Sequence, residues 1–348
     1  VSLVCPSCRA ALHSPFCKRV RQIPLLFAIP TALINEIHQE VQLLREVELL
    51  NNPFLGENRL LLPLFKTMRP RQWTKNGFVF VALLFDGKLL DIDSLLPTIS
   101  AFILLCFMSS AVYIMNDLAD IESDRQHPVK RKRPLPAGQL NPQVAKIAAV
   151  LFALGSLTAG LLLNFQFGLV LLAYLTSQIA YSFWLKHVVL LDISIVAAGF
   201  VLRIAAGVTV IDVQRFSPWL YLFGGFLALF MVLGKRRHEL VLLGEEAGTH
   251  RAILKEYNLD LIDRLLGIVT TSTIVSYSLY TFLAEGLPEN HLMMLTIPFL
   301  LYGIFRYLYL IHVKQMGGAP EEILLRDRSL QVTLLLFALV VFLTLYIF

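Results

Sequence analysis

Nine stretches of the chain stay apolar for about the 20 residues a helix needs to cross the hydrocarbon core of a bilayer. They cover residues 77–95, 97–116, 144–163, 166–184, 189–210, 217–234, 266–285, 291–311 and 329–348. Gly, Pro, Ser and Thr interrupt several of them, which membrane helices tolerate. None alternates with the period of two that marks a strand. The expected fold class is therefore all-α, a polytopic membrane bundle of nine helices. Residues 1–60 break this pattern and form a separate appendage before a membrane domain at 61–348. Within the appendage, Ile34, Ile37, Val41, Leu44 and Val47 recur at helical spacing, predicting one amphipathic helix over 34–50. Asn51, Asn52 and Pro53 stop it.

Composition agrees with lipid as the solvent. Of the 348 residues, 56% are hydrophobic and 16% charged, against about a quarter charged in ordinary soluble domains. The net charge of +5 is modest, and no nucleic-acid partner is expected. The placement of the positive charges matters more. Nine spans put the loops alternately on two sides. One side collects Arg59, Lys66, Arg69, Arg71 and Lys75 before the first span, and Arg125 and Lys130 to Arg133 after the second. Lys186, the basic residues of 235–265 and those of 312–328 bring that side to twenty. The other side offers Lys88 and Arg215. The positive-inside rule puts the rich side in the cytoplasm, with the N-terminus, and turns Phe348 outward.

The chemistry is concentrated where the second span reaches that side. Asp117, Asp120 and Asp124 follow Asn116 at spacings of three and four, which places three carboxylates on one helical face. Three like charges repel one another unless a divalent cation neutralises them. Mg²⁺ takes oxygen ligands and bridges carboxylates to substrate phosphates. Directly after come Lys130, Arg131, Lys132 and Arg133. They are either a solvated anchor or the second half of a diphosphate site, Arg forks gripping the oxygens that metal leaves free.

A second polar cluster contains Tyr181, Lys186 and His187, with Asp192 just inside the next span. Arg203 lies about three turns deeper on the same face as Asp192. Charges at membrane depth face a cavity or a partner, so the pair reads as substrate contacts or as structural ion pairs to other helices. Before the first span, Trp73 suits the interface, and Lys75 and Asn76 stand within reach of a phosphate or serve as anchors. Lys235, Arg236 and Arg237 read mainly as attachment to lipid headgroups, with a gating role over the site as the lesser reading.

The run Asn116-Asp117-x-x-Asp120-x-x-x-Asp124, followed by Lys130-Arg131-Lys132-Arg133-Pro134, resembles the first aspartate motif of the UbiA prenyltransferase superfamily over about residues 64–348. Within it, Arg69-Pro70-Arg71-Gln72-Trp73-x-Lys75-Asn76, Asp124-Arg125-x-His127-Pro128 and Tyr181-Ser182-x-x-Leu185-Lys186-His187 resemble the decaprenyl-phosphate phosphoribosyltransferases. The resemblance implies transfer of 5-phosphoribose from phosphoribosyl diphosphate to a polyprenyl phosphate, with Mg²⁺ on Asp117, Asp120 and Asp124. It implies Lys130, Arg131 and Arg133 on donor phosphates, and Lys186, with Lys75, on the acceptor oxygen. Asn76, Asn116, Tyr181, Asp192 and Arg203 complete the expected site. The rival is a prenyltransferase taking a prenyl diphosphate and a ring acceptor. Such relatives carry a second Asp-x-x-x-Asp, whereas Val196 stands four residues after Asp192.

Cys5, Cys8 and Cys17 faintly resemble a short zinc ribbon. Val20 occupies the place of a fourth Cys, and His13 is a substitute ligand. Structural zinc wants four ligands, so a degenerate, unmetallated appendage is expected.

Overall fold

A computed structural model describes residues 53–347, apart from 212, 214–216, 244–251, 289, 317–322 and 324–325. The three N-terminal cysteines and the helix expected over 34–50 lie outside the described residues. The chain divides into two units, Val1–Leu60 and Leu61–Phe348.

The described part is helical. α1 (Pro53–Thr67) precedes a 3₁₀ stretch over Pro70–Val79, which runs into the short α2 (Phe80–Phe85). There follow α3 (Ile92–Ala119), α4 (Ile121–Gln126), α5 (Pro142–Leu163), α6 (Phe165–Phe183) and α7 (Leu191–Val210). α8 (Pro218–Leu243), α9 (Leu259–Leu283), α10 (Ile297–His312) and α11 (Arg328–Tyr346) complete the bundle. Asp91, Asn141, Asn164, Asn258 and Asp327 each accept a backbone N–H and so cap the starts of α3, α5, α6, α9 and α11. Consecutive helices from α5 to α9 pack side by side, α3 against α5 and α10 against α11.

Seven described helical segments are long and apolar enough to cross a membrane. The two expected spans outside that set have physical reasons. Residues 77–95 form a 3₁₀ stretch and a six-residue helix that ends at Asp86. In α6, Gln166, Ser177, Gln178 and Tyr181 dilute the apolar run. α3 begins at Ile92, earlier than expected. At about 1.5 Å per residue its 28 residues reach about 42 Å, the thickness of a bilayer with its headgroups. Its C-terminal end, which carries Asp117, thus lies at an interface. The 3₁₀ stretch is pressed onto α7 at Gly207, where a Cβ would stand 2.0 Å from the Val79 carbonyl oxygen.

Candidate active site

α3 ends at Ala119 because Asp120 leaves helical geometry, at φ −100 and ψ 9. α4 then restarts the helix, and the short basic turn Lys130–Lys132 brings the chain back over it. This break changes what the aspartate spacing predicts. Asp117 and Asp124 come together, 2% and 1% exposed, while Asp120 sits at the bend, partly exposed. Among the described residues the Asp120 side chain makes no ion pair or hydrogen bond.

One guanidinium nitrogen, Arg133 Nη1, donates to Asp117 Oδ1 at 3.0 Å and to Asp124 Oδ2 at 2.8 Å. Arg69, at the start of the 3₁₀ stretch, donates a short hydrogen bond to the same Asp117 oxygen. Lys130 Nζ lies 3.3 Å from Asp124 Oδ1. That buried oxygen accepts no hydrogen bond. Two buried acids are thus held by three cations, and a basic rim continues through Arg131, which is exposed.

The same atoms decide how Mg²⁺ fits. The acids offer hard carboxylate oxygens, one of them without a hydrogen bond. Among the described residues no three His, Cys, Asp or Glu side chains converge, so a closed protein cage is absent there. Mg²⁺ does not need one. It is commonly held by one or two carboxylates plus waters and substrate phosphates. Asp117 and Asp124 fit that mode, with Asp120 at the adjoining bend.

The second cluster forms around Asp192, which is fully buried near the start of α7. Tyr257 donates to its Oδ1 at 2.6 Å and accepts from the Leu190 N–H at 2.7 Å. Arg236 Nε lies 3.3 Å from Asp192 Oδ2, a charge contact outside hydrogen-bond alignment. Arg236 also pairs with Glu239 and lies within electrostatic reach of Tyr181. Burial, then the bond to Asp192, pushes the Tyr257 phenol up to about 12, so it remains a donor at neutral pH. Lys186 stands on the 3₁₀ turn Leu185–His187 between α6 and α7. Among the described residues its ammonium has no partner.

Asp192 and Arg203 share a helical face but belong to separate networks. Arg203 donates from Nε to Asn76 Oδ1 at 2.8 Å, from Nη1 to the Gly199 carbonyl at 2.7 Å and from Nη2 to Tyr174 Oη at 2.9 Å. Asn76 in turn donates to Ser109 Oγ at 3.2 Å and to Cys106 Sγ at 3.3 Å. This joins the 3₁₀ stretch, α3, α6 and α7. Lys75, the neighbour of Asn76, is half-buried. The Asn116 carbonyl takes the Asp120 N–H at 3.0 Å.

Sequence reasoning gave Arg69 no place in the site, gave Arg236 only the lesser reading of a gate over it, and passed over Tyr174 and Tyr257. Arg69 had a signal, since it stands in the same short basic motif as Lys75 and Asn76. Tyr174 lies in an apolar run and had none.

An apolar cavity of about 340 Å³ lies between α2, α7, α8, α10 and α11, lined in part by Phe78, Ile204, Phe223, Phe230, Tyr307 and Phe337. Phe78 is two residues from Asn76, and Ile204 follows Arg203.

Residues 77–240 match the model of the UbiA prenyltransferase family. A decaprenyl-phosphate phosphoribosyltransferase of Mycolicibacterium smegmatis is 36% identical over 291 residues, 79% of this chain and 90% of the relative. The chain belongs to the UbiA prenyltransferase family. A decaprenyl-phosphate phosphoribosyltransferase of Mycobacterium tuberculosis is 35% identical over 276 residues, 78% of this chain and 90% of the relative. The UbiA fold is seen in a homologue from Archaeoglobus fulgidus solved with GPP and Mg²⁺. That structure is 18% identical, with a TM-score of 0.62, over 81% of this chain and 99% of its own. The chain is thus an integral membrane transferase of the UbiA fold, a fold in which Mg²⁺ and a prenyl diphosphate are bound together in that neighbour.

Proposed function

We propose that the chain transfers 5-phosphoribose from phosphoribosyl diphosphate to a polyprenyl phosphate and releases diphosphate. The observation that carries this reading is the paired acid and base cluster at Asp117, Asp124 and Arg133. It gathers carboxylates for a metal and cations for phosphate at one end of a membrane helix. The named activity of relatives matched along 90% of their length supports the choice of substrates.

Asp117 and Asp124, with Asp120, would hold Mg²⁺, which neutralises charge on the leaving diphosphate. Arg133, Lys130 and Arg69 trade their acids for donor phosphate oxygens, with Arg131 at the rim. The bond from ribose C1 to the diphosphate oxygen breaks, and its electron pair leaves with the diphosphate. C1 takes on oxocarbenium character, and an acceptor phosphate oxygen forms the new bond. No proton has to move, because the acceptor is already an anion at neutral pH. Lys186 and Lys75 place that oxygen, while Asn76, Asn116, Tyr181 and Arg203 line the site.

Asp192 has a positioning role. Held by Tyr257 and Arg236, it fixes the turn between α6 and α7 from which Lys186 projects. That use of the acid, with Val196 in place of a second Asp, favours an anionic acceptor over a second metal. The apolar cavity beside Asn76 and Arg203 suits the first isoprene units of the lipid. The site faces the cytoplasm of the cell membrane, where the basic loops gather, and the C-terminus faces outward.

The test is phosphoribosyl diphosphate labelled in the ribose, incubated with purified protein, Mg²⁺ and polyprenyl phosphate. The expected result is label in the lipid phase with an equal amount of diphosphate. Transfer of a prenyl group to a ring acceptor, with no ribosylated lipid, overturns the reading.

A further inference from the structure

Asp117 and Asp124 lie beneath the cations that hold them. The two acids are 2% and 1% exposed, whereas the side chains of Arg69, Arg133 and Lys130 are 30%, 31% and 41% exposed. The cations are therefore the outer layer of the cluster. Arg133 Nη1 stands between the acids, donating to Asp117 Oδ1 at 3.0 Å and to Asp124 Oδ2 at 2.8 Å. Arg69 donates to the same Asp117 oxygen, and Lys130 Nζ faces the other Asp124 oxygen at 3.3 Å. Asp124 thus meets a cation at both of its oxygens.

These contacts fix a charge balance. Two negative groups face three positive ones, so the cluster repels a bare divalent cation and attracts a phosphate anion. A guanidinium and a metal ion cannot share the oxygens that Nη1 bridges. Mg²⁺ at these acids therefore has to displace Arg133 against like charge. A diphosphate meets no such obstacle. It reaches the exposed outer layer first, where Arg and Lys exchange a carboxylate for phosphate oxygens of matching geometry. That exchange frees the acid oxygens just as new negative charge arrives beside them.

The Asp192 cluster supplies the contrast. Arg236 also lies between two acids, Asp192 and Glu239, but it is 4% exposed and so is a fixed part of the interior. Arg133 has the same arrangement with an outward route. We propose that Arg133, backed by Arg69 and Lys130, closes the metal site against Mg²⁺ alone and that the donor's diphosphate opens it, so that metal and diphosphate bind as a pair and each binds weakly by itself. This inference rests on the function proposed above and adds the order in which the site assembles.

The test is a pair of titrations into the full-length protein in nanodiscs of zwitterionic lipid. In one, Mn²⁺ is added without any phosphate, and bound ion is read from loss of the free-ion electron paramagnetic resonance signal. In the other, inorganic pyrophosphate is added calorimetrically with a chelator and no metal. Arg133→Gln is expected to bind Mn²⁺ roughly tenfold tighter than the wild type, because a neighbouring opposite charge changes the affinity of a carboxylate for a proton by at least that factor and a metal ion feels the same field. The same variant is expected to bind pyrophosphate roughly tenfold more weakly, as for loss of a hydrogen bond to a charged group. Lys130→Gln, which meets Asp124 from a more exposed position, is expected to shift both affinities about threefold in the same two directions. It carries the test if Arg133→Gln does not fold. A residue that only braces the acids predicts no gain in Mn²⁺ affinity. In the folded variants, Mn²⁺ affinity that is unchanged or weaker, or pyrophosphate affinity that does not fall, overturns the inference. Both shifts in a protein that ribosylates no lipid overturn the proposed reaction and leave the inference standing.

Discussion

Arg133→Gln tests the acid and base cluster where it is most tightly coupled. The substitution removes the one group that touches both buried acids, at 3.0 and 2.8 Å. Breaking a fully buried ion pair costs about 3–5 kcal/mol. Here the loss is smaller, because the Arg133 side chain is 31% exposed. Asp117 also keeps Arg69, and Asp124 keeps Lys130. A stability loss of about 1–2 kcal/mol follows. Catalysis should suffer more. If Arg133 moves onto the donor diphosphate, the variant loses a charge-assisted hydrogen bond worth about 1.5–3 kcal/mol. That corresponds to roughly tenfold to a hundredfold in kcat/KM. The assay is initial-rate transfer from labelled phosphoribosyl diphosphate at fixed lipid, beside thermal unfolding in the same nanodiscs. A variant with lowered stability but kcat/KM within twofold of wild type would show that Arg133 only braces the acids, and the donor assignment would fail.

Further outcomes follow from other contacts. Asp120→Asn should leave stability within about 0.5 kcal/mol yet raise the Mg²⁺ concentration needed for half-maximal transfer; an unchanged Mg²⁺ curve removes Asp120 from the metal site. Gly207→Ala puts a Cβ 2.0 Å from the Val79 carbonyl oxygen, and overpacking of this kind costs about 1–3 kcal/mol. It should lower thermal stability and transfer together, since it pushes Lys75 and Asn76 away from α7. Tyr257 binds its proton more tightly when folded, so its contribution is intact below pH 10 and is lost as the pH rises toward about 12. Tyr257→Phe should flatten that part of an alkaline unfolding curve. Asp327 runs the other way. Its hydrogen bond from Arg306 holds its carboxyl below the usual range, so acid should weaken the α10–α11 junction as the pH falls through that lowered value, and Asp327→Asn should remove the dependence.

Local features of the fold were legible, and long-range pairings were not. The helical class and seven of the nine expected spans follow from hydropathy, because lipid requires every backbone group to be paired within a helix. The motif around Asp117 was legible because three acids beside four cations have no apolar explanation. Helical spacing alone, though, placed Asp120 with its neighbours, and the bend between α3 and α4 separates it. Asp192 and Arg203, eleven residues apart, look like one pair on a helical wheel. The third dimension gives them different partners, Arg236 from α8 and Asn76 from the 3₁₀ stretch. Arg236 was hidden among residues that the positive-inside bias already explains. Its burial, 4% exposed, is visible only once α8 packs against α7.

The most direct measurement of the central claim replaces Mg²⁺ with Mn²⁺ and records electron–nuclear double resonance with inorganic pyrophosphate bound. The account predicts phosphorus coupling to bound Mn²⁺ in the wild type and its loss in a folded Asp117→Asn, Asp124→Asn double variant. The same coupling, at the same Mn²⁺ affinity, in that double variant would place metal and diphosphate elsewhere and contradict the account.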